Sequence, residues 1–358
     1  MARFHQLRVA AVEQLTDDSV TLTFEVPPAL REEYRFVAGQ HLAVRRFVDG
    51  TEIRRTYSIC APAPHPESPS EPRTLRVGVR FVEGGAFSTY ALKEVAVGDV
   101  LDVMTPAGRF TLEPAPGRYA AVVGGSGITP VLSIVTTLLE RDPQATFCLI
   151  RSDRTAASTM FLEEVADLKD RWPDRFQLVT VLSREEQQSG LDSGRLDEER
   201  LGRLLPALLP VDEVAGWFLC GPFGLVQGAE KTLRGLGVTR QRIHEEIFHV
   251  DGGLAAPIPA ATATTPAHST VTVTLDGRSG TWPVQDGESL LDTVLRNRAD
   301  APYACKGGVC GTCRAFRVSG EVRMDRNFAL EPEETEAGYV LACQSHPATD
   351  TVELDFDR

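Results

Sequence analysis

Cys305-Lys306-Gly307-Gly308-Val309-Cys310-Gly311-Thr312-Cys313 is followed, thirty residues on, by Cys343 in Ala342-Cys343-Gln344. The spacing C-x4-C-x2-C with a remote fourth cysteine is that of a plant-type [2Fe-2S] loop, in which four thiolates hold two irons. Backbone N–H groups of such a tight loop can point at the cluster sulfurs. A structural zinc knot is the alternative. It pairs C-x2-C with a second such pair or with His, and this stretch has neither. Disulfides would need an oxidising compartment. A cluster of this type carries one electron at a time, so the rest of the chain is read for a donor and an acceptor.

At 358 residues the chain has room for two or three domains. A formal charge of −13 argues against nucleic acid and against anionic membrane surfaces as partners. The three cysteines outside the loop, Cys60, Cys148 and Cys220, are scattered and odd in number, which points to a reducing, cytoplasmic setting. Met1-Ala2-Arg3-Phe4-His5 has no apolar signal core, and no apolar run reaches membrane-spanning length.

Residues 1–112 read as all-β. Val20, Leu22, Phe24 and Val26 alternate with polar residues, as do Leu75, Val77, Val79 and Phe81. Shorter runs at 7–12, 41–47, 54–60 and 100–103 bring the count to about six strands, which suggests a small antiparallel barrel. Residues 68–72 read as a proline-rich surface loop and 86–92 as a short helix. Over 113–250 the pattern changes to alternating strand and helix. Strands are expected at 119–123, 146–150, 177–182 and 216–220. Helices are expected at 131–140, 161–171, 197–205 and 225–236. The first of these has Thr129 as N-cap and Pro130 at N1. This is a doubly wound α/β domain. Residues 251–268 form a linker whose core, 255–266, is a semi-stiff tether rich in Pro, Ala and Thr. Residues 269–358 are a third unit. A hairpin turns at Asp276-Gly277, and a helix capped by Ser289, with Asp292 in the capping-box position, leads into the cysteine loop. This unit carries 15 Asp and Glu against 9 Lys and Arg, a net of −6.

Four further motifs carry chemistry. Arg55-Thr56-Tyr57-Ser58, on a strand, offers a flavin a cation for its pyrophosphate, an aromatic face and a hydroxyl near N5. Gly84-Gly85-Ala86-Phe87-Ser88 can present N–H groups and the Ser88 hydroxyl to a phosphate at a helix N-terminus. Gly124-Gly125-Ser126-Gly127, at a strand-to-helix turn, can cradle the pyrophosphate of a pyridine nucleotide. Ser183-Arg184 suits the 2′-phosphate of NADPH, and Arg154 is a second candidate. At Cys220-Gly221-Pro222 a small thiol would leave room for the nicotinamide. For each motif a plain turn, an exposed arginine or a packed thiol is the alternative.

In this order, these motifs resemble the ferredoxin-NADP reductase superfamily with a plant-type ferredoxin fused at the C-terminus. The resemblance implies an FAD-binding β-barrel, an NADP-binding domain and a β-grasp ferredoxin domain. Glu246-Ile247-Phe248 resembles the acid-x-aromatic segment that ends the reductase beside the flavin, which makes Ser58, Cys220 and Glu246 the catalytic candidates and Phe248 a flavin contact. Arg3-Phe4-His5-Gln6-Leu7, residues 34–41, 303–310, 330–334 and 337–344, and the ending Asp355-Phe356-Asp357 are similar to the reductase subunits of phenylacetyl-CoA 1,2-epoxidase complexes. Ala38 stands where Pro is usual. Arg151-Ser152-Asp153-Arg154-Thr155 replaces a Tyr-Gly-Asn-Arg-Thr-like stretch, which leaves NADH open beside NADPH.

The resemblance implies that NADPH gives a hydride to FAD, and that electrons then pass singly through the cluster to a di-iron epoxidase partner docked on the acidic ferredoxin domain. Hydride transfer needs positioning rather than a side-chain acid or base. Two other readings are a reductase for a Rieske-type aromatic-ring or steroid hydroxylase, and a non-catalytic redox sensor.

Overall fold

The computed structural model describes residues 3–65, 72–185, 194–249, 269–298 and 300–358. The tether at 255–266, the linker that contains it, and the loop at 68–72 apart from Pro72 lie outside the described residues. The chain forms two compact units, Met1–Val250 and Asp251–Arg358.

The first unit opens with β1 (Phe4–Thr16), β2 (Ser19–Glu25), β3 (His41–Val48), β4 (Thr51–Ser58), β5 (Thr74–Arg80) and β6 (Val100–Met104), in the antiparallel order β4-β3-β6-β1-β2-β5. Just past β4, Ile59 bridges Val77 of β5, and the Cys60 N–H donates to the Arg76 carbonyl at 2.9 Å. The outer strands therefore meet just past β4, which closes the sheet into a barrel. The period-2 pattern becomes facing pairs. Val20, Leu22 and Phe24 lie opposite Val79, Val77 and Leu75, and all six are buried. Phe81, expected on that inner face, is 40% exposed. β5 ends one residue earlier, where the Phe81 N–H turns aside to the Asp18 carbonyl. Helix α1 (Ala86–Lys93) follows with Phe87, Ser88 and Ala91 inward.

The second half of this unit is a parallel sheet of β7 (Arg118–Gly124), β8 (Thr146–Asp153), β9 (Phe176–Leu182), β10 (Val214–Pro222) and β11 (Ile243–His249), in the order β11-β10-β7-β8-β9. Its helices are α2 (Ile128–Arg141), α3 (Leu162–Arg171), α4 (Glu198–Leu208) and α5 (Phe223–Gly235). The order reverses between β7 and β10, and the loops after those two strands open at this switch point. α2 starts earlier than expected. Gly127 occupies the N-cap position, because the turn Gly125–Gly127 is itself helical and runs straight into Ile128. The Thr129 hydroxyl donates back to the Ser126 carbonyl at 3.0 Å instead of capping. One hydrophobic core runs from Leu7 and Val9 in the barrel to Phe218 and Cys220 in the sheet. Arg76 of β5 and Glu164 of α3 form a two-pronged ion pair across the junction.

In the second unit, β12 (Thr270–Leu275), β13 (Arg278–Pro283), β14 (Arg314–Ser319), β16 (Tyr339–Leu341) and β18 (Thr351–Asp355) form a mixed sheet in the order β13-β12-β18-β14-β16, with β12 and β18 parallel. β15 (Val322–Met324) pairs with β17 (Ser345–Pro347). Helix α6 (Leu290–Asn297) buries Leu290, Leu291 and Val294 in one core with Val271, Val273 and Leu275. The Ser289 Oγ accepts from the Asp292 N–H at 3.2 Å, as its capping role requires. A further helix, α7 (Pro332–Ala337), opens on a capping box between Glu331 and Glu334.

Candidate functional site

The barrel brings its two flavin-type motifs together. Arg55, Thr56, Tyr57 and Ser58 end β4, and Gly85, Ala86, Phe87 and Ser88 lead into α1. The rings of Tyr57 and Phe87 stand 5.3 Å apart. Arg55 reaches the surface. The Ser88 hydroxyl does not face outward as expected. It donates to the Gly85 carbonyl at 3.1 Å and accepts from the Val82 N–H at 3.1 Å, so it builds the turn. That leaves the backbone of 85–87 as the phosphate cradle the motif can offer.

At the end of β4 the barrel meets the parallel sheet. Ser58 is buried, and its hydroxyl donates to Oε2 of Glu246 on β11 at 3.4 Å. Glu246 lies opposite Cys220 in the β10–β11 register. Cys220 is fully buried, and burial, reinforced by the neighbouring Glu246 carboxylate, pushes its thiol well above the ordinary range. It is therefore a neutral, compact wall rather than a nucleophile. Phe248, further along β11, packs against the core. The three catalytic candidates thus converge, although they come from three distant parts of the chain.

A fourth residue belongs with them. His41 of β3 faces Ser58 across the β3–β4 register, and its Nδ1 lies 3.8 Å from Glu246 Oε1. Its Nε2 is buried with no hydrogen-bond partner among the described residues. A buried polar atom in that state calls for a ligand to satisfy it. The sequence carried no sign of this, because only strand register places His41 beside Ser58.

The glycine turn closes on the same spot. Gly124, Gly125, Ser126 and Gly127 join β7 to α2, and Thr129 is buried in the first turn of that helix. A Cβ on Gly127 would stand 2.2 Å from the Cys220 carbonyl oxygen. Only glycine lets the turn and the end of β10 touch backbone to backbone. Further along the sheet edge, Ser183 and Arg184 follow β9, and their N–H groups donate to the carbonyls of Asp153 and Arg154 at 2.9 Å each. The two sets of 2′-phosphate candidates are therefore neighbours. Arg154 is paired with Asp18 at 2.7 Å. The unusual stretch before it contains a buried ion pair, Arg151 Nε to Asp153 Oδ2 at 2.7 Å.

In the second unit Cys305, Cys310 and Cys313 lie on the loop after α6, and Cys343 lies in the turn after β16. The Cys310 thiol hydrogen-bonds to Cys305, and the Cys313 thiol to Cys343. In each pair this holds the acceptor's pKa down and raises the donor's. The Gly307 N–H donates to Cys305 Sγ at 3.3 Å, and the Gln344 amide to Cys343 Sγ at 3.5 Å. Both donors are of the kind that stabilises thiolates around a cluster. Among the described residues no three His, Cys, Asp or Glu side chains gather as a single-ion site would require. Four cysteines at this spacing suit a two-iron cluster.

Comparison with known proteins follows the same division. Residues 6–112 match the oxidoreductase FAD-binding domain, 122–231 the oxidoreductase NAD-binding domain, and 273–348 the 2Fe-2S iron-sulfur cluster binding domain. The chain is 43% identical to a subunit of the 1,2-phenylacetyl-CoA epoxidase of Escherichia coli K12, over 100% of this chain and 99% of that one. The chain belongs to the ferredoxin-fused branch of the ferredoxin-NADP reductase superfamily. Like other ferredoxin-fused reductases it is an oxidoreductase with FAD, a [2Fe-2S] cluster and a nicotinamide nucleotide as its redox groups. It is 32% identical to the ferredoxin reductase component of 3-ketosteroid-9-alpha-monooxygenase from Rhodococcus rhodochrous, over 98% of this chain and 96% of that one. Its fold is similar to that of phthalate dioxygenase reductase, with a TM-score of 0.60 at 21% identity, over 99% of this chain and 98% of that one. The fused reductase arrangement fits the residues present: four cysteines at cluster spacing, a buried unsatisfied His41 beside the flavin motif, and a glycine turn between β7 and α2. Among the described residues no helix is long and apolar enough to cross a membrane.

Proposed function

We propose that this chain is the NADPH-dependent reductase of a multicomponent oxygenase, delivering electrons to a di-iron epoxidase that acts on phenylacetyl-CoA. The observation that carries the reading is the convergence of Ser58, from the flavin side, and Cys220, from the nucleotide side, on Glu246. The relative that is 43% identical over its full length favours the phenylacetyl-CoA system over the steroid hydroxylase system, at 32%. The division we propose is an FAD-binding barrel over 1–112, a nucleotide domain over 113–250, a linker over 251–268 and a ferredoxin domain over 269–358.

When bound, FAD takes a hydride from the nicotinamide and gives up electrons singly, and the cluster carries them one at a time. The chain's residues do the positioning. Arg55 and the N–H groups of Gly85, Ala86 and Phe87 hold the flavin's phosphates, and Thr56, Tyr57 and Phe248 flank its rings. Ser58 and Glu246 hold a hydrogen bond at the reacting edge and keep water out of it. Cys220 leaves room for the nicotinamide to stack. Gly124, Gly125, Ser126, Gly127 and Thr129 shape the turn that receives the nucleotide's pyrophosphate, while Ser183, Arg184 and Arg154 select its 2′-phosphate. Cys305, Cys310, Cys313 and Cys343 ligate the irons. Cys60, Cys148 and Cys220, the three outside the cluster loop, are free thiols, which suits work in a reducing cytoplasm.

An anaerobic titration with NADPH, followed by visible absorbance, tests the reading. Flavin and ferredoxin-like bands should bleach together. Cluster bands that NADPH and NADH both leave untouched would end it. The acidic ferredoxin domain, net −6, is the proposed docking face. Electron delivery to the oxygenase should slow as salt rises from low ionic strength, and a rate indifferent to salt would remove that part.

A further inference from the structure

One amide side chain ties the three-cysteine loop to the remote cysteine. Gln344 follows Cys343 in the turn after β16. Its Nε2 lies 2.9 Å from the Lys306 carbonyl, 3.1 Å from the Cys343 carbonyl and 3.5 Å from Cys343 Sγ. A primary amide has two N–H donors. One serves Lys306 on the loop, and the other is shared between the oxygen and the sulfur of Cys343. The stem of the side chain lies along the loop, where a Cβ on Gly308 would stand 3.1 Å from Gln344 Cγ. The Gln344 carbonyl in turn accepts from the Asp325 N–H at 2.8 Å. Lys306 is held on the other side as well. Its φ of +52° lies in the left-handed region that residues with a side chain rarely enter. Its ammonium bonds to Asp292 Oδ1 at 3.0 Å and sits 5.1 Å from the Tyr303 ring centre, while Gln344 takes its carbonyl. An unfavourable backbone conformation persists only where its surroundings hold it.

We propose that Gln344 is a positioning residue that sets the reduction potential of the cluster through its N–H to the Cys343 sulfur. The proposal rests on the two-iron cluster carried by the four cysteines and adds a residue that is not a ligand. Its sign follows from charge. Taking up an electron makes the cluster and its sulfurs more negative, so a donor aimed at a ligand sulfur stabilises the reduced state more than the oxidised one. Gln344 therefore raises the potential and makes the cluster a better acceptor of the flavin's electrons. The Gly307 N–H acts in the same sense on Cys305, but it belongs to the backbone and no substitution short of proline removes it. The donor of Gln344 is a side chain, so this one position can tune the cluster without touching its four ligands. The second N–H fixes the geometry. Because it is spent on the Lys306 carbonyl, the amide cannot rotate away from Cys343 without giving up the loop.

The test is a dye-mediated reductive titration of the flavin- and cluster-loaded full chain, with the reduced cluster followed by electron paramagnetic resonance. Gln344→Met has nearly the same length and no N–H. Its cluster should take up an electron about tenfold less readily, a potential lower by about 59 mV, which is the lower end for losing a hydrogen bond to a charged group. Gln344→Glu puts an anionic acceptor where the donor stood, and its potential should fall further. A Gln344→Met cluster with the wild-type potential would overturn the assignment and leave Gln344 as a brace for the turn. Should that variant not retain its cluster, the wild type is read instead, prepared with glutamine carrying heavy nitrogen in the side-chain amide. Pulsed resonance on the reduced cluster should then show coupling to the label, and no coupling overturns the proposal. A wild-type chain without a [2Fe-2S] signal would sink the cluster reading, and the proposal with it.

Discussion

The Ser58 hydroxyl donates to Glu246 at 3.4 Å, joining the end of a barrel strand to a sheet strand 188 residues away. The pair is part-buried at the meeting point of the flavin motif and the nucleotide turn. Its removal should therefore slow hydride transfer more than it weakens binding. Ser58→Ala and Glu246→Gln are each expected to lower the rate of flavin reduction by roughly 10- to 100-fold, short of the larger losses seen when a true acid or base is removed. Because the two groups touch, the double variant should lose less than the two single losses combined. Stopped-flow absorbance at the flavin band measures all three.

Gly127→Ala should damage the fold and the site together. Its methyl group would meet the Cys220 carbonyl at 2.2 Å, and a backbone atom cannot swing aside as a side chain can. Overpacking of this kind costs about 3 kcal/mol at the upper end of its usual range. The melting midpoint of the reductase unit should fall by roughly 10 °C. NADP+ binding should weaken in the fraction that remains folded. Calorimetric melting with and without nucleotide would show both.

Asp153→Ala should be among the most destabilising single changes in the parallel sheet. Both members of the Arg151–Asp153 pair are about 1% exposed at the side chain, and Arg151 Nη2 also donates to the Met160 carbonyl. Removing the carboxylate strands a buried guanidinium, a loss of about 3–5 kcal/mol. Replacing both residues with apolar ones of similar volume should recover much of that. Urea unfolding of the single and double variants separates the two effects.

The Asp18 network should make stability depend on pH at the acid end. Burial raises the Asp18 pKa, but hydrogen bonds from Arg80, Thr16 and Arg154 outweigh it and hold the carboxyl below its usual value. A depressed carboxylate stabilises the fold above its unfolded pKa of about 4, and that contribution fades as pH falls further, through the folded value. The wild type should therefore be more stable than Asp18→Asn at neutral pH, and the gap should close below about pH 4. Parallel thermal melts from pH 7 to pH 3 would reveal a gap that stayed constant, which would count against the network.

Much of this was legible in the residues because period and punctuation carry it. The barrel strands follow from period-2 alternation, and the cluster loop from cysteine spacing. The failures have local causes. Phe81 continues the alternation by one residue beyond a strand that the chain's turn has already ended. β11 was not recognised as a strand, because Glu245-Glu246 interrupts its apolar pattern and only pairing with β10 makes it one. Thr129 looked like a cap, but Gly127 extends the helical turn upstream of it. His41 was missed for a different reason. It matters through Ser58, a neighbour that strand register supplies, and no linear motif records such a relation.

The position of β18 also has a consequence for the order in which the protein is made. The last strand of the chain sits inside its sheet, between β12 and β14. Synthesis runs from the N-terminus at about 5–20 residues per second, and units tend to fold as they emerge. The reductase unit can therefore be finished while the ferredoxin strands are still being added. β12 can pair at once with β13, but its other edge must wait for a partner some eighty residues downstream, a long-range pairing that is slow to form. All four cluster cysteines exist before the sheet beneath them can close. A chain cut short before Thr351 would lack the strand that joins β12 to β14, so that sheet could not close.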